Sequence, residues 1–483
     1  MKREIFLGFD FGTYTTKISF YIPESGEPKM LQVPGLSDDN GFIYSFISEN
    51  GKIGYDAYKD YKKGNPNVDY GFKMRLNQKE GFEKSKKFLE IVYKKAKEEL
   101  ERKSYIVKGF RFSAPNSWTI EQNEKFLKLL EEIGVIKNYK KQNEIIVREP
   151  YAAAVYHILD DIEQAGRKAL VIDAGAGTID TVVIEITPDG KLQEIKNSYG
   201  VIEKAGKFVD ETIKEFYKME SLNKAEELKF FLSYEFKNNK SEVKKFDLLI
   251  KRREFEEECL KDWIKEYREL LKHYKEYNPD YVLFAGGFSA FYLIEQIARE
   301  VFPNVQYYPS RKNKPETTTT EFRKDSSISF GCSIIASGKT SIRETLKFDI
   351  YLKLESYYEI KKITYEGKAV EFHIEKEQTE YYLIPIFRAN DYVGKVVEIN
   401  KYKLDNKPLN VKTYKTINII IKYMNTKAEV EKELLIEDPK FIGTTLSNLK
   451  FHIDENKILK IIYEYEDGRD KTLTSLDLKT IRG

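Results

Sequence analysis

The chain has 483 residues, too many for one ordinary domain, and its 41% apolar content with 34 Tyr and 30 Phe is enough for real cores. Its 81 Lys and Arg nearly balance 78 Asp and Glu, leaving a formal charge of +3, so no basic excess argues for nucleic acid as a partner. No window approaches the roughly 18 apolar residues of a membrane span, and a soluble, cytoplasmic protein without a membrane partner is expected.

In chain order, the first strong signal is GFDFGTYTTKISF at residues 8 to 20. An apolar strand delivers Asp10 to a glycine and threonine turn, and a second apolar strand follows. A helix is expected at about 84 to 103, where Phe88, Val92, Ala96 and Leu100 recur every four residues. The charge run Lys94 to Arg102 is read as its solvated face rather than a binding tail. A strand at Tyr105 to Ser113 precedes a helix capped by Thr119 or Ser117, carrying Phe126, Leu127, Leu130 and Ile133 and stopped by Gly134. The strand Glu144 to Val147 runs into REPYAAAVYHIL, a turn opening a helix with Pro150 near its first position.

The second half restarts with ALVIDAGAGTIDTVVIEI at 169 to 186, a repeat of the hairpin around Asp173. A mostly helical, highly charged stretch fills about 207 to 278, before the strand Tyr281 to Phe284. AGGFSAFYLIEQIAREVF then reads as strand, glycine turn and helix, with Phe291, Ile294, Ile297 and Val301 on one face. Alternating strands and helices indicate an α/β domain of two related lobes, about 1 to 167 and 168 to 338, followed by a linker at 339 to 349. From 350 to 483 period-two strands dominate, with Ile417, Ile419, Ile421 and Tyr423 on one face and Leu459, Ile461, Tyr463 and Tyr465 on another. Turn signals at Asp454 to Lys457 and Asp467-Gly468 separate them, and an all-β sandwich is expected. Cys259 shares a helical stripe with Phe255, Trp263 and Tyr267 and belongs to a packed core; with Cys332 it makes neither a disulfide framework nor a metal site. His157, His273, His373 and His452 have no ligand spacing.

An acidic group held beside exposed backbone N–H groups suits phosphate with its divalent cation. Two such hairpins suggest a duplicated fold closing on one nucleotide. Gly12 with Thr13 and Tyr14, and Gly175 with Ala176 and Gly177, can bring N–H groups close to phosphate; Thr13 and Thr178 supply hydroxyls. Asp10 and Asp173 can hold magnesium through waters. The chain contains no G-x-x-x-x-G-K-[ST] segment, so this is not the P-loop solution.

Five segments in order, GFDFGTYTT, FKMRLN, REPYAAAVYH, VIDAGAGTID and VLFAGGFSAF, resemble the actin-like ATPase superfamily and, within it, the seventy-kilodalton heat-shock protein (DnaK-type) family. They correspond to that family's first phosphate loop, catalytic-lysine segment, first connecting helix, second phosphate loop and adenosine loop. AGKFVDETI, AEELKFFLS and RREFEEE are similar as well, and FHIDENKILKIIYEYEDGRDKTL is similar to its peptide-binding sandwich. The resemblance implies a two-lobed ATPase domain (a duplicated ribonuclease-H-like fold) using ATP/ADP and Mg2+, with a β domain that takes a peptide or protein client and a co-chaperone as possible partner. It implies that Lys73 contacts phosphate and the attacking water, that Glu149 orients water or magnesium, and that Pro150 relays nucleotide state. Thr178 falls near the γ-phosphate, and Asp10, Asp173 and Asp180 fall on the magnesium side. Gly206 and Lys207 belong to the nucleotide site; Glu226, Lys229, Ser233, Gly286 and Gly287 line the adenosine.

The chain departs from the family at several positions. Ala176 replaces the middle glycine of the second loop. GGFSAF lacks the arginine that stacks on the base, leaving Phe288 or Phe291 as substitutes, and Phe230 stands where a basic contact is expected. The linker lacks the leucine run ending in aspartate, and the expected reading has no helical lid after the sandwich. The leading expectation is a slow heat-shock-type ATPase. The alternatives are a nucleotide-sensing scaffold with little turnover, an actin-like filament-forming ATPase and a small-molecule kinase of the same superfamily; no acceptor pocket or catalytic aspartate is found for the last.

Overall fold

In the computed structural model, which describes residues 3–118, 120–137, 145–161, 166–187, 191–195, 198–308, 320–340, 342–343, 348–355, 360–376, 380–388, 395–412, 415–423, 429–436, 438–453 and 458–478, one strand order occurs twice. The first sheet runs Pro28–Met30, Thr15–Tyr21, Arg3–Phe11, Tyr105–Ala114, Ile146–Arg148; the second runs Leu192–Glu194, Ile179–Ile186, Lys168–Ala174, Tyr281–Ala285, Gln306–Tyr308. In both, the first three strands are antiparallel neighbours and the last two join in parallel. The central strands are buried along most of their length, as their continuous apolar runs require.

Two helices lie at the join. Glu149–Asp161 packs on the second sheet and against Thr320–Ala336, which packs on the first. Their small residues set the approach: a Cβ on Gly331 would lie 1.7 Å from the Ala152 carbonyl oxygen, and one on Gly8 would lie 2.0 Å from that of Ser329. The Ser19 hydroxyl donates to the Ser329 carbonyl at 2.7 Å, pinning the later helix to the first hairpin.

The first lobe's interior is aromatic. Phe9 stacks on Phe112 at 4.4 Å, and Phe11 on Phe126 at 5.9 Å. The helix Lys79–Arg102 buries Phe88, Val92, Ala96 and Leu100 as its four-residue period requires, starting a turn earlier than expected. The next helix, Ile120–Glu132, ends before Gly134 at φ 74°. Thr119 and Glu144 lie outside the described residues, as do the turn Asp454 to Lys457 and much of the 339–349 linker.

The 207 to 278 stretch is mostly helical, as expected, with one departure. A hairpin, Glu242–Lys245 with Leu248–Lys251, interrupts it, and Phe255–Cys259 is a single π-helical turn. Positive φ at Phe246 and Asp247 makes the two-residue turn. Asp247 is a turn former but Phe246 is not, so the pair lacks the Asn-Gly or Asp-Gly signal that flags a hairpin. Phe255, Cys259, Trp263 and Tyr267 nonetheless share one core.

The chain divides into two compact units, Met1–Ile342 and Arg343–Gly483. The second is β-rich, and its described helices are single short turns. A five-stranded antiparallel sheet, in order His373–Lys376, Glu380–Phe387, Phe348–Glu355, Thr416–Tyr423, Glu429–Leu435, shares its core with the sheet Val396–Glu398, Leu449–Ile453, Ile458–Glu464, Asp470–Asp477. Ile417, Ile419 and Ile421 meet Phe451, Leu459 and Ile461 there. Among the described residues no helix is long and apolar enough to cross a membrane.

Gly331→Ala is expected to destabilise the first unit by about 1–3 kcal/mol through overpacking against Ala152. Chemical denaturation should show a lowered midpoint, whereas substitution at the open turn Gly134 should leave the helix contact intact.

Candidate functional site

The two hairpins place their chemistry by register. Asp10 lies opposite Lys17 across the first, and Asp173 lies opposite Asp180 across the second. Four residues form each turn: Gly12 to Thr15, and Gly175 to Thr178. A Cβ on Gly12 would meet the Thr15 carbonyl oxygen at 2.2 Å, so only glycine allows that closure. Ala176 is not among the residues with positive φ, so alanine carries no backbone strain in the second turn. Gly206 and Lys207 donate their N–H groups to the Gly175 and Ala176 carbonyls at 3.2 and 2.8 Å.

Around these turns the structure gathers a buried charged cluster. Lys73 Nζ donates to Glu149 Oε1 at 2.6 Å, and both side chains are nearly inaccessible. The Phe11 and Trp118 rings flank the ammonium, with centroids 5.7 and 5.5 Å away. Ser113 bridges two carboxylates, donating to Asp10 Oδ1 at 3.0 Å with Glu149 Oε1 at 3.4 Å. Lys17 reaches Asp10 Oδ2 at 3.4 Å and Asp325 Oδ1 at 3.8 Å.

Burial and crowding shift these groups. Burial first, then Glu149, Asp180 and Asp10, push Asp173 well above the usual carboxylate range. Burial also raises Glu149, against the pull of Lys73. Asp180 is raised by burial although Thr178, Lys73, Tyr199 and the Ser117 N–H favour its charged form; Tyr199 Oη lies 3.4 Å from its Oδ1. Its Oδ2 has no hydrogen-bond partner among the described residues.

A second group lies in the later lobe. Lys229 pairs with Asp210 at 2.8 Å and donates to the Gly206 carbonyl at 3.3 Å. Burial lifts Asp210 to about 6, opposed by Lys229. Gly286 has φ 76°, and a Cβ there would strike the Ala174 carbonyl oxygen at 2.4 Å and Asp173 Oδ1 at 2.7 Å. The glycine turn therefore packs directly on the second hairpin. Glu226 faces the first lobe, 3.8 Å from Lys62 Nζ, and after burial it is the group that most raises the Tyr14 phenol. Lys207 Nζ lies 5.2 Å from the Tyr70 ring centroid, and Met74 covers Gly177 so closely that a Cβ there would be 2.9 Å from Sδ.

Other expected positions do different work. The Ser233 hydroxyl accepts from the Tyr292 N–H at 3.0 Å and faces the Ala290 carbonyl, fastening a helix start. Phe288 stacks on Phe291 at 5.2 Å inside the lobe's core, while Phe230 is 57% exposed. Thr13 and Thr178 are half-buried at the turns, and Pro150 is buried at the start of the helix Glu149–Asp161. His157 is held neutral, its pKa lowered to about 3 by burial and then by Arg323. A cavity of about 550 Å³ between Lys261–His273 and Tyr292–Val301 is lined by none of the expected site residues.

Lys17, Ser113, Asp210 and Asp325 were not singled out from sequence. The signal for Lys17 was present: it follows Asp10 by the seven residues that separate Asp180 from Asp173. Ser113 and Asp325 carry no local signal, since strands and a helix distant in the chain bring them in. No protein-family model matches the chain, and comparison with curated proteins finds no significant match.

Because burial raises the Asp180 carboxyl, the folded protein holds a proton that the unfolded chain releases from about pH 4 upward. Stability contributed by this group therefore falls as pH rises through that window towards the raised pKa. Asp180→Asn is expected to stabilise the ligand-free protein by about 1–3 kcal/mol at neutral pH. Thermal unfolding at pH 5 and pH 8 should show the larger gain at pH 8; equal gains would contradict a charged, under-paired Asp180.

Proposed function

We propose that the chain is a nucleotide-dependent ATPase of the actin-like superfamily, of the seventy-kilodalton heat-shock type, whose nucleotide state governs the β-rich unit. The observation that carries this reading is the repetition of one sheet order, each copy ending its central strand in a buried aspartate beside a glycine turn. The donor set fits ATP with magnesium. The carboxylates Asp173, Asp180 and Glu149 are destabilised by their own proximity and burial, and a cation would relieve them.

Among the described residues no three groups converge to ligate a metal directly, so Asp173 and Asp180 would hold magnesium through water. The ion supplies charge neutralisation at the phosphates. Lys73 would contact phosphate, Glu149 orient the attacking water, and the Thr178 hydroxyl sit beside the terminal phosphate. Gly206, Lys207 and Lys229 would flank the nucleotide, with Gly286 and Gly287 admitting the adenosine. The β-rich unit would take an extended peptide or protein client.

A nucleotide-sensing scaffold is the second reading. In it the adenosine turn and linker, which depart from the family pattern, would make binding rather than turnover the purpose of the site. Calorimetry should detect ATP binding in magnesium. In single-turnover assays Thr178→Ala and Lys73→Ala should slow hydrolysis about 10²- to 10³-fold, as for loss of a preorganised donor. Unchanged rates would reject these roles, and tight binding with near-zero hydrolysis in the unmodified protein would select the scaffold.

A further inference from the structure

The cavity between the helices Lys261–His273 and Tyr292–Val301 is shaped as a groove, with one face of each helix as a wall. Lys261, Lys265 and Arg268 line the first wall and Gln296 and Glu300 the second, over a floor that includes the buried Ile264 and Ile297. The first wall runs from Lys261 to Arg268, about 10 Å of helix at about 1.5 Å per residue. Its volume of about 550 Å³ lies within the range of ligand sites.

The groove is preformed because both ends are fastened. Arg268 reaches Glu300 across it at 2.8 Å. At the other end the π-helical turn Phe255–Cys259 supplies Glu256, whose Oε1 accepts from Arg252 Nε at 2.7 Å and from Tyr292 Oη at 3.0 Å. Arg252 also donates to Gln296 Oε1 at 2.5 Å. Single π-helical turns of this kind recur at functional sites.

Its charges are unevenly engaged. Glu300 is held by Arg268, Glu256 by Arg252, and Glu257 by Arg253 at 2.8 Å. Lys261 and Lys265 are exposed and form no ion pair among the described residues. Lys261 is also the first residue of its helix, where the dipole disfavours a cation, and Leu260 before it offers no side-chain cap. Helix stability therefore gives no reason for an ammonium at that place. An anion there would be met by the ammonium and by the helix N-terminus together.

We propose that this groove binds an extended acidic segment of a protein partner, with carboxylates two residues apart meeting Lys261 and Lys265. The lengths agree. Side chains two residues apart on one face of an extended chain are separated by about 6.6 Å, and lysines four residues apart on a helix by about 5–6 Å at Cβ. Three extended residues cover the same 10 Å or so as the wall, whereas a compact phosphate would leave most of the cavity empty. The ion pairs are exposed, so the complex is weak and salt-sensitive. Neither nucleotide nor magnesium takes part in this binding.

The test adds the blocked pentapeptide acetyl-Gly-Glu-Ala-Glu-Gly-amide to the full chain at low salt, with affinity measured by saturation-transfer NMR on the peptide. The unmodified protein should bind it, and Lys261→Gln with Lys265→Gln should weaken binding about 3- to 30-fold, the range for two exposed ion pairs. A peptide with its two Glu adjacent engages one lysine and should bind up to about fivefold more weakly. Lys261→Glu with Lys265→Glu should reject the acidic peptide and accept one carrying Lys in place of both Glu, an exchange that damage to the fold would not produce. Failure of the unmodified protein to bind the spaced peptide overturns the proposal, as does undiminished binding by the double Gln variant. Equal affinity for the adjacent and spaced peptides overturns the extended register and the proposal with it.

Discussion

Uncompensated negative charge, buried where two sheets meet, is the constraint around which the first unit is organised. Asp10, Glu149, Asp173 and Asp180 are each under a tenth exposed, and Lys17 and Lys73 are the ammonium groups set among them. A protein gains nothing in stability from such an arrangement, since desolvating a carboxylate costs several kcal/mol and repulsion adds to it. The raised pKa values express that cost. A charge deficit kept at the ends of paired strands is the pattern of a binding or catalytic site, held in place by the rest of the fold.

The fold holds it through backbone proximity. Gly12, Gly286 and Gly331 each sit where a Cβ would come within 2.4 Å of a carbonyl oxygen. These contacts close the first turn, seat the Gly286-Gly287 turn on the second hairpin and press two helices together at the join. Aromatic packing completes the support: Phe11 and Trp118 flank Lys73 while belonging to the same core as Phe88 and Phe126. A shift in that core would move the lysine, so packing and electrostatics are coupled here.

Much of this was legible from local pattern. The helix at 79 to 102 announced itself because a four-residue apolar period survives any tertiary context that buries one face. Both hairpins were legible because aspartate, glycine and threonine at a strand end are rare except where the backbone must turn tightly. The hairpin at 242 to 251 was hidden because its solvent face is lysine and glutamate and its turn is Phe246-Asp247. Ser233 and Phe288 were placed at the ligand by resemblance, but hydroxyl capping and ring stacking claim them. Residue type states what a side chain can do; only its neighbours decide which of those things it does.

The sequence by itself determined the duplicated aspartate turns, the alternation of strands and helices and the change to β-rich structure near residue 350. Each of these depends on interactions spanning a few residues, which composition and period encode directly. Tertiary structure decided which charges meet: Lys73 with Glu149, separated by 76 positions, and Ser113 with Asp10, separated by 103. Lys17 faces Asp10 within one hairpin at a spacing the sequence already shows, whereas the distant pairs meet only because the sheets and helices that carry them pack together, which no local pattern encodes.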